Sequence, residues 1–365
     1  MSCLSWKAMQ VIFLKVLSSS AAIVATFMTL STLLMMNLLN SKPHHLNNHD
    51  NTERSSRYSL SPGRQIMTVP HLEKSTLSDF DSLTRTVWNP RDYRDVNVPS
   101  PACMLNLPLL ILVTSSPEHY DRRKAIRETW ARDWLDPQNT EWRTIFLIGQ
   151  TLNNPSLNKS LERESVVHGD ILMGNYLDTY RNLTLKVQHG MSWAQETCQP
   201  QYLLKTDDDC FVNSRMFTNF LKTSNKQQTK LYAGFPISNL EVVRDPKSRW
   251  YVSRETYRPS QFVPYASGTG YVLSKDVLQA MVSTARYVQP FAAEDAYTGL
   301  LASYTDIPLL DSARFALNNV NWRLCNYLFL LVVHDVTPDQ QVVGLRNSIE
   351  SHTRCNGQAE ATDWN

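Results

Sequence analysis

The chain has 365 residues, of which 42% are hydrophobic and 19% charged, with a formal net charge of +2 at neutral pH. That composition belongs to a globular protein with a sizeable core, in one large domain or two modest ones. Near-neutral charge, with no basic stripe interleaved with aromatics, excludes nucleic acid as a partner.

The amino-terminal end stands apart from that globule. Residues 16–36 carry no charge and are dominated by Ala, Ile, Val, Phe, Leu and Met. Such a run is long enough for a hydrocarbon core, which needs about 20 residues. Lys7 and Lys15 precede it and only Lys42 follows closely. Positive charge therefore orients 1–15 as a cytoplasmic tail, 16–36 as a transmembrane signal anchor and the remainder as lumenal. A cleaved signal peptide has a shorter apolar core, about 7–15 residues, and no small-x-small site follows this one. Residues 37–103 are rich in Ser, His, Asn, Pro and Arg without periodicity, and read as a flexible stem.

The body is expected over 104–356, with 357–365 as a short tail. An apolar strand at 108–113 is followed by a helix that Ser116 caps and Pro117 opens, with Ile126, Trp130 and Trp134 as its buried face. Strands are expected at 144–148, 170–173 and 202–204, alternating with helices at 162–167 and 180–198. Strand and helix in alternation predict an α/β sheet covered on both faces, with ligands at the carboxyl ends of the strands. The second half is less regular. Strands or edges are expected at 230–234, 250–251, 265–273 and 328–333, and a helix at 274–284.

The strand at 202–204 runs into Lys205-Thr206-Asp207-Asp208-Asp209, and apolar residues resume at Phe211. Carboxylates crowded against a core repel one another and lose hydration, which calls for a compensating cation. A divalent metal on oxygen ligands, shared with a phosphate-bearing substrate, supplies it; a mere helix-capping turn is the plainer alternative. His334 ends a very apolar strand, a position that is more often structural than metal-binding. Glu294-Asp295 opens an apolar helix, where acids commonly serve the helix dipole. Ser267-Gly268-Thr269-Gly270 fits either a turn or a close approach of backbone to ligand. Arg123 and Arg127 have the spacing of simple helix-face charges. Trp250 is a candidate for stacking on a sugar, although a core role is the commoner one.

Six cysteines are present, Cys3 on the cytoplasmic side and five beyond the anchor, so at least one of the five is unpaired within the chain. Two disulfides with Cys210 free are expected, their connectivity open. None of the spacings suits zinc. Two sequons occur, at Asn158 in what reads as a polar loop and at Asn182 in a helix-like segment.

Taken together, Arg122-Arg123-Lys124-Ala125-Ile126-Arg127-Glu128-Thr129-Trp130, Lys205-Thr206-Asp207-Asp208-Asp209, Ser267-Gly268-Thr269-Gly270-Tyr271 and Glu294-Asp295-Ala296-Tyr297-Thr298-Gly299 resemble the β-1,3-galactosyltransferase family, in the family's order. The resemblance implies a GT-A-type glycosyltransferase fold, a Rossmann-like mixed sheet behind one transmembrane helix and a stem. It implies a Golgi type II membrane enzyme that transfers a sugar from a UDP-sugar donor to an acceptor glycan on glycoprotein or glycolipid, with inversion. By carry-over, Asp207, Asp209 and His334 hold Mn²⁺, and Asp295 is the general base. Asp207, Asp208, Arg127, Gly268, Thr269 and Glu294 contact the nucleotide-sugar. Galactose is the expected donor sugar, with N-acetylglucosamine or N-acetylgalactosamine as alternatives; an inactive lectin-like protein is the alternative of another class. Ala266 and Leu301 stand where relatives often carry cysteines, consistent with the loss of one disulfide.

Overall fold

The computed structural model describes residues 93–365 other than 102, 104, 133–137, 139–140, 152–153, 224–228, 319–322, 356–363 and 365. The expected cytoplasmic tail, the anchor and the stem up to residue 92 lie outside the described residues. Among the described residues no helix is long and apolar enough to cross a membrane.

Four parallel strands form the centre of the fold: β2 (Leu109–Thr114), β3 (Trp142–Gln150), β4 (Ile171–Leu177) and β5 (Tyr202–Asp207). They lie in the order β4-β3-β2-β5, so the chain winds one way from β2 through β3 to β4 and then returns to the other side of β2. The sheet is completed by antiparallel β1 (Asp95–Asn97) on β4, antiparallel β8 (Tyr265–Ser274) on β5, β7 (Tyr232–Ile237) antiparallel to β8, and β9 (Leu310–Asp311). A small second sheet holds β6 (Cys210–Val212), β10 (Phe315–Ala316) and β11 (Val332–His334). The expectation of a mixed α/β sheet is met.

Period-two alternation divides the core. Leu110 and Leu112 face one side, with Val187 and Met191 of α3 (Leu183–Trp193), Val277 of α5 (Lys275–Thr284) and Tyr297 of α6 (Glu294–Tyr304). Leu109, Ile111 and Val113 face the other, with Ile126 of α1 (Tyr120–Glu128), Leu161 of α2 (Pro155–His168) and Phe217 of α4 (Ser214–Thr223). Fully buried strands of this kind read as continuous apolar runs, which is why 109–113 was legible. Ala266 and Leu301 are both fully buried in the first of these clusters.

Several boundaries differ from expectation. The first helix starts at Tyr120, with no side-chain cap, rather than at Pro117. The cause is Arg123, fully buried, which donates to the carbonyls of Ser116 (2.6 Å) and Pro117 (3.3 Å) and bends that segment into a turn. Trp130 lies beyond the helix end and is buried by tertiary contact. Residues 250–251 form no strand, and of the apolar run 328–333 only Val332 and Val333 enter β11. Asn158 is in α2 rather than a loop, and its Nδ2 donates to the Thr151 carbonyl at 3.0 Å. In the second sequon Asn182 Nδ2 donates to the Leu177 carbonyl and Thr184 is buried.

Order extends past both expected ends of the body. β1 precedes residue 104, and Cys103–Cys198 ties that segment to the end of α3's π-turn, Ala194–Cys198. Cys325–Cys355 pins α7 (Pro338–Arg354), and Cys210 is free and buried. Trp364, placed in the expected tail, is 3% exposed and stacks edge-on against Phe220 with ring centroids 4.8 Å apart. A buried aromatic of this size contributes substantially, and Trp364→Ala is expected to lower stability by about 3 kcal/mol, read from the denaturant midpoint.

Candidate active site

The winding reverses between β2 and β5, and the carboxyl ends of strands at such a switch point are where open α/β sheets take ligands. Thr114 and Asp207 are paired in register at that point, and Thr114 Oγ1 donates to Asp207 Oδ1. Asp208 and Asp209 then form a two-residue turn that carries the chain from the main sheet into β6. The acids therefore fall at the switch point because β5 ends there.

Each acid meets a different neighbour. Lys205 and Asp207, two residues apart on one strand, project to the same face. Lys205 is fully buried; its ammonium donates to Asp207 Oδ1 (2.8 Å) and to the Gly268 carbonyl (2.6 Å), and stands 3.3 Å from Glu294 Oε2. Burial works against that charge, but Asp207 and Glu294 outweigh it and raise the pKa of Lys205. Asp208 is 5% exposed and accepts from His119 Nδ1 (2.8 Å) and Arg122 Nη1 (2.9 Å). Burial pushes its carboxyl up, yet hydrogen bonds from His119 and Ser115 and the Arg122 charge hold it below its ordinary value. Arg122 also reaches Asp209 Oδ2 at 3.2 Å.

Asp209 faces His334. In the small sheet β6 and β11 run antiparallel with His334 opposite Cys210, which sets the imidazole beside the acidic turn. His334 Nε2 lies 3.6 Å from Asp209 Oδ1, while Nδ1 is 2.8 Å from the Leu317 carbonyl. A carbonyl can only accept, so Nδ1 carries a proton, and Nε2, on the side of Asp209, is the nitrogen left to meet a metal. Carboxylate plus imidazole is a donor set that suits manganese. Among the described residues no three His, Cys, Asp or Glu side chains form a complete metal shell. The pair fits a metal whose other positions are filled by ligand oxygens.

Glu294 and Asp295 begin α6 on the far side of Lys205. Glu294 is buried, accepting from Tyr271 OH at 2.5 Å; burial raises its pKa despite Lys205, which sits closer to Asp207. Asp295 is partly buried. Its Oδ2 accepts from the Gly268 backbone N–H (3.1 Å) and its Oδ1 from Ala296 N–H (2.9 Å). Burial pushes its carboxyl upward, with those N–H groups and Lys205 opposing. Gly268 lies in an extended strand, not a turn, and its requirement is proximity: a Cβ there would stand 3.3 Å from Asp295 Oδ2. Thr269 contributes its carbonyl, which accepts from Thr206 Oγ1 at 2.8 Å.

The Galactosyltransferase family description matches residues 121–313, more than half of the chain and inclusive of the acidic turn, Gly268 and Asp295. Mouse and human beta-1,3-galactosyltransferase 1 are each 34% identical over 281 residues, covering 76% of this chain and 85% of theirs. Human beta-1,3-galactosyltransferase 5 is 32% identical over 253 residues, covering 68% and 81%. The chain belongs to the β-1,3-galactosyltransferase family. It is a hexosyltransferase enzyme. Among solved structures, a Pyrobaculum calidifontis mannosyltransferase in complex with GDP-Man and Mn²⁺ covers 78% of this chain and 86% of its own at 10% identity, with a TM-score of 0.33, too distant to carry an argument.

The cluster gathers Asp207, Asp208, Asp209, Gly268, Thr269, Glu294, Asp295 and His334. Arg127 is not brought into it. Its guanidinium is bound by Asp170 (2.7 and 2.8 Å) and Glu164 (2.7 Å), on the side of α1 turned to α2. Arg122, one turn earlier, is the arginine that reaches the acids. Asp207 is engaged by Lys205 and Thr114 rather than by the Asp209–His334 pair. Sequence reasoning missed Lys205 as the link; its signal was a lysine directly after the apolar Leu203-Leu204, two residues before an aspartate. His119 left no signal, since nothing in a β2–α1 loop histidine marks its partner. Removing the buried ammonium would leave Asp207 and Glu294 uncompensated, so Lys205→Met is expected to cost about 3–5 kcal/mol in a urea titration.

Proposed function

We propose that the protein is an inverting, Mn²⁺-dependent transferase that moves galactose from UDP-galactose to a hydroxyl of an acceptor glycan in β-1,3 linkage. The observation that carries this reading is the pairing of two chemistries through Lys205. On one side stand Asp209 and His334, a metal-competent pair at the switch point of the sheet. On the other stands Asp295, a carboxylate whose orientation is set by a backbone N–H. Asp209 and His334 would hold Mn²⁺, which when bound neutralises charge on a departing diphosphate without proton transfer. Asp295 takes the proton from the acceptor hydroxyl as that oxygen attacks the anomeric carbon from the face opposite UDP. Gly268 fixes the carboxylate, and Glu294, held by the Lys205 ammonium and the Tyr271 hydroxyl, keeps the first turn of α6 in place.

The apolar run at 16–36 and the relatives together support a single-pass type II protein of the Golgi membrane, with the body raised on a stem and a GT-A-type catalytic domain in the lumen. The shared motifs leave N-acetylated donors as the competing choice. Turnover of UDP-galactose, UDP-N-acetylglucosamine and UDP-N-acetylgalactosamine by the full chain, on methyl and aryl glycosides, separates them. Galactose transfer that vanishes on chelation and returns with Mn²⁺ is the expected result. Binding of UDP with no metal-dependent transfer from any donor would instead support a lectin-like protein.

Asp295→Asn is expected to reduce turnover by about 10²–10⁴-fold while UDP affinity stays unchanged. Near-normal turnover in that variant excludes Asp295 as the base. The base works only when ionised, and its pKa is raised, so activity is lost as pH falls through that raised value. The acid limb of kcat/KM should therefore lie above the ordinary aspartate range of about 3.9.

A further inference from the structure

Residues 238–264, between β7 and β8, contain no regular element beyond one bridge between Glu241 and Gln261. They are nevertheless tightly organised. The Arg244 guanidinium donates to the carbonyls of Val252 (2.8 Å), Ser253 (2.9 Å), Tyr257 (2.8 Å) and Pro259 (2.6 Å), drawing the two halves of the loop together. At the tip, Trp250 N–H donates to Ser248 Oγ (3.1 Å) and Tyr251 N–H to the Ser248 carbonyl (3.2 Å). Trp250 is held there in a turn, and 46% of it is exposed. Neither a core role nor disorder accounts for a large aromatic presented in that way.

Trp250 is one of three groups. Arg249 Cζ lies 4.3 Å from the Trp250 ring centroid and 5.3 Å from that of Tyr180, itself 38% exposed. Arg181 Nη2 donates to the Pro246 carbonyl at 3.2 Å and ties the turn carrying Tyr180 to the loop. Among the described residues Arg249 has no carboxylate at ion-pair distance. Two rings and a guanidinium, from segments seventy residues apart in sequence (roughly, by the spacing of 180 and 250), thus share one exposed surface.

The surface adjoins the proposed base rather than the acidic turn. Tyr180 follows the carboxyl end of β4, on the edge of the sheet where β2 and β5 also end. The helix it introduces is fastened by Thr184 Oγ1 to the Phe291 carbonyl (2.5 Å), in the segment that leads into Asp295. Burial and then the Asp295 carboxylate raise the pKa of the Tyr180 phenol, with a hydrogen bond from Trp250 opposing. No hydrogen bond or ion pair links Tyr180, Arg249 or Trp250 to Asp207, Asp208 or Asp209 among the described residues.

An exposed ring beside a charged planar donor matches the two-sided chemistry of a pyranose, which offers C–H groups to an aromatic face and hydroxyls to a guanidinium. In the transferase reading the donor nucleotide takes the acidic turn, which leaves the Asp295 side for the other substrate. We infer that Tyr180, Arg249 and Trp250 form the acceptor subsite, a platform on which a neutral pyranose of the acceptor glycan stacks and turns a hydroxyl toward Asp295. This assignment rests on the transferase reading above, with Arg244 acting only to position Trp250.

Binding can be read without turnover, by saturation-transfer NMR of methyl β-pyranosides of galactose, glucose and their N-acetylated forms with the full chain, UDP and Mn²⁺. At least one pyranoside should bind to the native chain. Trp250→Ala, at an exposed position, should weaken it at least tenfold, and Tyr180→Ala should do likewise, with UDP affinity unchanged. Arg244→Met should weaken it through loss of loop order, and Trp250→Phe should restore most of the affinity. If no pyranoside binds, or if Trp250→Ala binds as the native chain does, the platform is overturned. A pyranoside that binds at the platform but receives no sugar from any UDP donor counts against the transferase reading instead.

Discussion

One buried ammonium organises this site. Lys205 sits on β5, between parallel β2 and antiparallel β8, and reaches Asp207 at its own strand end, the Gly268 carbonyl on the neighbouring strand and Glu294 at the start of α6. A lone buried lysine would be strongly disfavoured, and so would the buried Glu294 carboxylate beside a half-buried Asp207. Each makes the other tolerable only if all three elements stay in place. The consequence is geometric: the end of β5, the Gly268 strand and the first turn of α6 are locked to one another. Asp209 and Asp295 are carried by two of those three elements.

The division of labour among the acids follows from where the chain turns. β5 ends at Asp207, so Asp208 and Asp209 are placed by the turn rather than by the alternation of the strand. As built, Asp207 looks to Lys205, Asp208 is bound to His119 and Arg122, and Asp209 is delivered to the small sheet opposite His334. Three identical side chains therefore acquire three roles: a link to the lysine, an anchor for the loop after β2, and a metal-competent oxygen. The buried Arg123 adds to this by shaping the 116–117 turn that places His119.

The parallel core strands were legible because burial on both faces leaves only apolar residues, and the acids because they interrupt such a run. Motifs held together by local spacing, such as Asp207 to Asp209 and Glu294-Asp295, could be read as sites. Partnerships across long separations could not. Arg127 carried the same local signal as Arg122, and only the packing of α1 against α2 assigned one to Glu164 and Asp170 and the other to the acids. The 116–117 turn was read as a helix start because Ser-Pro has that signature, whereas a buried guanidinium from the following turn overrode it. Trp364 reads as tail because no large apolar residue lies near it in sequence; its pocket includes rings of α4.

The central claim is that a base at 295 and a metal-borne leaving group serve opposite faces of one sugar. The anomeric configuration of the new linkage, determined by NMR on the product made from an α-linked UDP-sugar, tests it most directly. A wholly β product is required. An α product would mean attack from the leaving-group side and would contradict the account.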